Sequence, residues 1–506
     1  MRQSLSQLSA SKLKEGFTII ELITVIGIIG ILSAITVVGY GAWQQSVAES
    51  SVKSDLLNAA SALESARTFD NQVPADINTV FQPTEAVTLT GGATDSSNGF
   101  CITAVHEAYP DMPFFITQDT INDGPQSGEC PVVFTDISSN GEGAHACGVV
   151  DGKAYCWGAG AYGPLGNGSE NNANAPVAVS TDGVLAGKTV TAVGAGRYHS
   201  CAVADGEAFC WGYNSGRLGN NSSVASLVPV AVSTAGVLAG KTVTAVGAGI
   251  SHTCALAEGA VYCWGLNSSG QLGDNSTVAS LVPVAVSTAG VLAGKTVTDL
   301  SVGSYHNCVV ADGEAFCWGY NSNNLGNGST ANSSVPVAVS TAGVLAGKEV
   351  TDITAASTHS CAVAAGAAYC WGFGTSGKLG VGSTSSSSVP VAVSTAGVLG
   401  GVAVSEIAAG TSHSCARSEV AVFCWGSNSS GQLGDASTTN SLVPVTVSSS
   451  GVLASLSPEQ LTVGNGFSCL IASGQPVCWG YGVSGALGNS ANSNSSIPVA
   501  VTIPAL

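Results

Sequence analysis

The chain has 506 residues, of which 14 are Lys or Arg and 32 are Asp or Glu, a formal charge of −18. Charged residues make up 9% and hydrophobic residues 45%, so the chain has apolar material for a core and lacks the high charge of a disordered segment. Too few cations remain to neutralise a run of phosphates, which excludes a nucleic-acid partner held by ordinary electrostatics.

The first segment, Met1 to Gly16, is polar and carries Arg2, Lys12 and Lys14 against Glu15. No charge occurs from Leu22 through Ala48, and Phe17 to Trp43 is long enough to span a bilayer as a helix. It is too long for a cleaved secretory signal, and the basic leader is expected to stay cytoplasmic. Glu21 alone interrupts the apolar run. Such a carboxylate is costly inside a membrane and is kept for a function.

The run Lys14-Glu15-Gly16-Phe17-Thr18-Ile19-Ile20-Glu21-Leu22 resembles the cleavage motif of type IV prepilins and secretion pseudopilins. That resemblance implies cleavage between Gly16 and Phe17 by a prepilin peptidase and N-methylation of Phe17. It also implies filament assembly through Glu21, which pairs with the terminal amine of another pilin subunit. Past Trp43 the periodicity of Val47, Val52, Leu56, Ala60 and Leu63 extends the helix, which is expected to stop before Pro74. Residues 75–130 read as a small sheet closed by Cys101 and Cys130, similar to that of minimal pilins.

The rest of the chain is repetitive. Cys-Trp-Gly recurs at Cys156, Cys210, Cys263, Cys317, Cys370, Cys424 and Cys478, each preceded nine positions earlier by another Cys. In Cys201-Ala-Val-Ala-Asp205-Gly206-Glu-Ala-Phe-Cys210, Asp-Gly signals a two-residue hairpin turn. Pairing outward from the turn places Ala204 opposite Glu207 and brings Cys201 to Cys210, within disulfide reach. The same register predicts Cys147–Cys156, Cys254–Cys263, Cys308–Cys317, Cys361–Cys370, Cys415–Cys424 and Cys469–Cys478, with Cys101–Cys130 as the eighth bond. At Glu419-Val420 the Gly is missing and a different turn is expected. Further strands, in Val-Pro-Val-Ala-Val and Lys-Thr-Val-Thr-Ala-Val, give about four per unit, which argues for blades around an axis, with a linear solenoid as the alternative. Gly-x-x-His-Ser-Cys-Ala before Cys-Trp-Gly, with Gly-Arg-Leu-Gly or Gly-Gln-Leu-Gly after it, resembles the regulator of chromosome condensation repeat, a family of seven-bladed propellers.

His145, His199, His252, His306, His359 and His413 fall once per unit and are replaced by Phe467 in the seventh. That spacing makes a ring of structural hydrogen bonds, not a metal cluster. No catalytic motif, metal site or cofactor is expected. Nearly identical units differ at the open end of each hairpin, opposite its turn. The candidate ligand rim there is Arg197, Tyr198, Tyr213, Ile250, Leu266, Tyr305, Tyr320, Phe373 and Tyr481, rich in residue types favoured at binding hot spots.

The expected fold is an α+β pilin-like N-terminal module, a long hydrophobic α-helix plus a small sheet, followed by an all-β seven-bladed propeller. Its boundaries are a leader over 1–16, the helix over 17–74, the small β-subdomain over 75–130 and the propeller over 131–506. The expected function is that of a minor or tip-type pilus subunit, not an enzyme, residing in the cytoplasmic membrane as a prepilin and then in an extracellular pilus or at the cell surface. There the propeller is expected to bind a protein or glycan. A structural pilin or secretion pseudopilin with a non-binding propeller, and an exported protein inhibitor, are the alternatives.

Overall fold

The computed structural model describes residues 19–66, 76–93, 100–117, 121, 124–127, 130, 132–454 and 456–503. Gly16 and Phe17 lie outside the described residues. Contacts divide the chain into two compact units, Met1–Pro131 and Val132–Leu506.

The first unit contains helix α1, Ile19–Ser65, and an antiparallel sheet of Val87–Ala93, Phe100–His106, Tyr109–Thr117 and Gln126–Ser127. Val52, Leu56, Ala59, Ala60 and Leu63 recur at helical spacing and are buried against Leu89, Phe100, Ile102, Ala104 and Ile116. Asp55 also falls on this buried side, and its carboxylate accepts from the backbone N–H and hydroxyl of Thr84 at 2.9 and 2.6 Å. Cys101 and Cys130 form the unit's disulfide.

Among the described residues no helix is long and apolar enough to cross a membrane, which corrects the expected span over 17–43. The apolar stripe described on α1 from Ala48 to Leu63 is taken up by a globular core. Glu21 lies within α1. The pilin-like half of the expected fold class is corrected with the span.

The second unit holds seven four-stranded antiparallel sheets, with strands consecutive in sequence within each sheet. Blades 1 to 7 cover residues 134–178, 190–231, 243–285, 297–338, 350–392, 406–446 and 458–500. The hairpin carrying the cysteines fills the middle of each blade. In blade 2, His199–Ala204 is buried at every position because neighbouring blades cover both of its faces. Asp205 and Gly206 take φ of 49° and 75°, the left-handed pair that lets a two-residue turn follow strand twist. Ala204 pairs with Glu207 and Cys201 with Cys210. All seven hairpin disulfides are present; that of blade 2 joins Cα atoms 4.0 Å apart. In blade 6 the turn widens to Ser418–Ala421, where the Ser418 hydroxyl accepts from the Val420 and Ala421 backbones.

Blade 7 meets blade 1 without exchanging a strand. The closing contacts run from the Phe134 N–H to the Gly474 carbonyl at 2.8 Å, and from the Ser139 N–H to Thr462 Oγ1 at 2.9 Å. A third runs from Gln475 Nε2 to the Val132 carbonyl at 2.8 Å.

Candidate binding rim

The once-per-unit histidines form a ring of clasps between blades. His199 Nε2 lies 2.8 Å from Thr253 Oγ1 of the next blade, whose hydroxyl donates to the Arg217 carbonyl. Trp264 Nε1 donates to that same carbonyl at 2.7 Å. Equivalent pairs join His145 to Ser200, His252 to Asn307, His306 to Ser360, His359 to Ser414 and His413 to Ser468. Each hydroxyl spends its proton on a carbonyl and must accept from the imidazole, so Nε2 carries the proton. The Nδ1 atoms are buried without a hydrogen-bond partner among the described residues. Burial accordingly depresses the histidines, to about 4 at His145 and His252 and about 3 at His306 and His413. At the seam between blades 7 and 1 both halves of the clasp are missing. Phe467 replaces the histidine and Ala146 the hydroxyl, and the two share an apolar cluster with Phe134 and Trp157.

The innermost strands are joined by a second device. Asp136 Oδ2 accepts from the Val193 N–H at 2.7 Å, Asp299 from Ile353, Asp352 from Ile407 and Glu406 from Leu461. Burial raises all four carboxyls, and Asp352, which also feels Asp299, is raised well above the usual range. These groups cap the free N–H edge of the neighbouring strand.

The open end of the hairpins is where side chains turn outward. The Tyr213 N–H donates to the Tyr198 carbonyl, and the same bond joins Tyr320 to Tyr305, Leu266 to Ser251, Phe373 to Thr358 and Tyr481 to Gly466. The two variable positions of each blade are therefore adjacent. Tyr198 and Tyr213 gather with a third ring, Tyr162 of blade 1, at centroid distances of 5.4 Å for Tyr162–Tyr198 and 5.2 Å for Tyr162–Tyr213. The Arg197 guanidinium lies 4.9 Å from the Tyr198 ring and that of Arg217 4.7 Å from the Tyr213 ring. Tyr162 is 49% exposed. Tyr305 and Tyr320 form a separate exposed pair in blade 4, 6.1 Å apart. Leu266 is exposed on its own blade, and Phe373 and Tyr481 are half-buried on theirs. Ile250 does not belong to the presented surface, because it is buried and its carbonyl accepts from Arg217 Nε.

Tyr162 and Arg217 were not among the expected rim residues. Tyr162 has a φ of 72°, and Ser215, Ser376 and Ser484 hold the same left-handed place in other blades. A bulky residue at a strained position that small polar residues fill elsewhere is a signal readable from the repeats.

The regulator of chromosome condensation (RCC1) repeat model matches residues 151–203, 205–256, 258–310, 312–363, 365–417 and 421–471. The chain belongs to the RCC1 repeat family. It is 29% identical over 313 residues to the ultraviolet-B receptor UVR8 of Arabidopsis thaliana, a match covering 60% of this chain and 68% of that protein. It is 31% identical over 298 residues to the E3 ubiquitin-protein ligase HERC2 of Homo sapiens, covering 57% of this chain and only 6% of the ligase. Among solved structures, human WBSCR16 superposes with a TM-score of 0.60 at 20% identity, covering 70% of this chain and 95% of that one. Yeast RCC1 (Prp20) bound to Kap60 gives a TM-score of 0.58 at 19% identity, covering 69% and 83%.

These likenesses are to RCC1-repeat proteins, and they correct the reading of residues 1–130 as a prepilin or pseudopilin module. The pilus-subunit function, the prepilin peptidase and pilin partners, and the membrane-to-pilus localisation fall with it. They rested on a local motif at the N-terminus, whereas the similarity to known proteins lies in the repeats.

Proposed function

We propose that this RCC1-repeat chain is a protein-binding scaffold that acts by holding a partner, not by catalysis. The Tyr162–Tyr198–Tyr213 cluster flanked by Arg197 and Arg217 is its binding centre. The observation that carries this reading is the convergence of three partly exposed tyrosines and two arginines from two blades. Tyr and Arg dominate hot spots because they supply large contact area with a polar end. The disulfide-stapled blades beneath lend rigidity, so little ordering cost accompanies binding. Yeast RCC1 (Prp20), which shares this fold, has been solved with Kap60 bound. The other expected rim residues, Tyr305 and Tyr320 with Leu266, Phe373 and Tyr481, extend the proposed rim onto their own blades.

The test uses the full chain immobilised and exposed to native extract, with captured proteins quantified by mass spectrometry. Tyr198→Ala with Tyr213→Ala is expected to lower capture of a specific partner at least about fivefold, the effect of one hot spot above 1 kcal/mol. Glu207→Lys and Glu314→Lys, on the opposite, turn-bearing end of the hairpins, should leave it unchanged. A partner retained by the tyrosine variants and lost by the turn variants would place the site on the other face.

A further inference from the structure

Blade 1 departs from the others between its first two strands, where Asn140-Gly141-Glu142-Gly143-Ala144 stands in place of three residues such as Gly196-Arg197-Tyr198. The longer segment crosses the mouth of the ring. Asn140 Nδ2 donates to the Ala248 carbonyl of blade 3 at 2.9 Å, and Thr411 Oγ1 of blade 6 donates to the Gly141 carbonyl. The Asn465 N–H of blade 7 donates to the Gly143 carbonyl at 3.1 Å. Gly143 permits the crossing, since a Cβ there would lie 2.4 Å from the Gly196 carbonyl oxygen.

Glu142 is set at the centre of this crossing. One carboxylate oxygen accepts from Ser357 Oγ of blade 5 at 2.6 Å, and the other stands 3.8 Å from Arg197 Nη1 of blade 2. Arg197 stays 37% exposed in that loose pair while it lies against Tyr198. Lys378, buried nearby, donates to Thr358 Oγ1 at 2.6 Å and to the Thr411 carbonyl at 3.1 Å. Burial lowers it to about 8, and the Glu142 carboxylate works against that shift. Ser304, of blade 4, is buried in the corresponding loop and its Oγ has no hydrogen-bond partner among the described residues. The mouth thus collects two cations and several hydroxyl groups, and the chain's own Glu142 supplies the anion.

We infer that the mouth beside the tyrosine cluster accepts a carboxylate from an acidic segment of the bound protein, and that Glu142 occupies that place in the free chain. The inference rests on the rim reading, because the same Arg197 serves both. A long, partly exposed pair at 3.8 Å is weak and can be exchanged. A partner carboxylate entering beside Tyr198 takes over Arg197 with better geometry. The aromatic cluster then supplies contact area, and the exchange supplies selection for acidic sequence.

The test measures binding of fluorescein-labelled oligo-glutamate to the full chain by anisotropy at low salt. Glu142→Gln keeps an acceptor for Ser357 but removes the competing charge, and is expected to tighten binding about fivefold, the upper end for a partly exposed pair. Arg197→Ala is expected to abolish the gain in the double variant, and added salt should weaken all binding. Unchanged affinity in Glu142→Gln, or unchanged binding in Arg197→Ala, overturns the inference. If inorganic phosphate displaces the peptide at equal concentration, the mouth reads any anion and the assignment to an acidic segment is overturned. Loss of partner capture in the tyrosine variants with no effect of Glu142→Gln leaves the rim reading standing and this inference refuted. The reverse pattern leaves the mouth standing without the tyrosines.

Discussion

His252 Nε2 and Asn307 Oδ1 meet at 2.8 Å across the junction of blades 3 and 4, and the Asn307 amide donates to the Gln271 carbonyl. Because the amide nitrogen is committed to that carbonyl, the oxygen must accept, and His252 is held as the Nε2–H tautomer. The same logic holds where a hydroxyl replaces the amide, and at the seam Phe467 and Ala146 stand in place of both partners.

Asn307→Ala is expected to destabilise the fold by about 1–3 kcal/mol, because it leaves the buried His252 N–H without an acceptor. Combining it with His252→Phe imitates the seam and should recover part of that loss. Denaturant unfolding of the two single variants and the double variant measures the coupling. An additive double variant would mean that the clasp carries no pairwise energy.

The depressed histidines give stability a definite pH dependence. Their folded values, about 4 at His145 and His252 and about 3 at His306 and His413, lie below the ordinary 6.5. Their stabilising contribution is therefore complete above pH 6.5 and lost as pH falls through these folded values. His252→Gln keeps the donor to Asn307 but does not titrate. Wild type is expected to lose stability relative to this variant as pH falls from 6.5 towards 4, which thermal unfolding across that range reads directly.

Asp352 predicts the opposite slope. Its carboxyl is raised well above 3.8, by burial first and by Asp299 second. The folded chain therefore holds this proton more tightly than the unfolded chain, and the contribution is lost as pH rises through the folded value. Asp352→Asn keeps an acceptor for the Ile407 N–H, so its stability relative to wild type should increase with pH above about 4. A difference that stays flat between pH 4 and 8 would show that Asp352 ionises freely.

Each hairpin disulfide closes a separation of 9 residues, whereas Cys101–Cys130 closes 29. In the chain-entropy account, removing Cys254–Cys263 with Ala at both positions costs about 2.7 kcal/mol, against about 3.6 for the longer loop. Besides Cys101–Cys130, non-reducing peptide maps should show only links within a blade. A link between blades would contradict the register of the hairpins.

Much of the propeller was legible in the chain because its decisive interactions are local. Asp205-Gly206 fixes a turn, the turn fixes which residues face one another, and Cys201 therefore meets Cys210. Repetition then supplies the number of blades and the adjacency of Tyr198 with Tyr213. The N-terminal motif around Gly16 and Glu21 misled for a related reason: a short local pattern names a use only when the rest of the chain supports it, and here the support lies with the repeats.

Tertiary structure decided the features that depend on closing the ring. The pairing of each histidine with the next blade joins residues about 54 positions apart, and the match between Phe467 and Ala146 appears only once blade 7 meets blade 1. Burial of Ile250, the gathering of Tyr162 with tyrosines of another blade, and the crossing of the mouth by Asn140–Gly143 all arise from the curvature of seven packed sheets. Sequence periodicity determines how a strand pairs with its neighbour, since hydrogen-bond register is local. Which side chains converge above the axis depends on the angle between blades, a property of the whole packed ring.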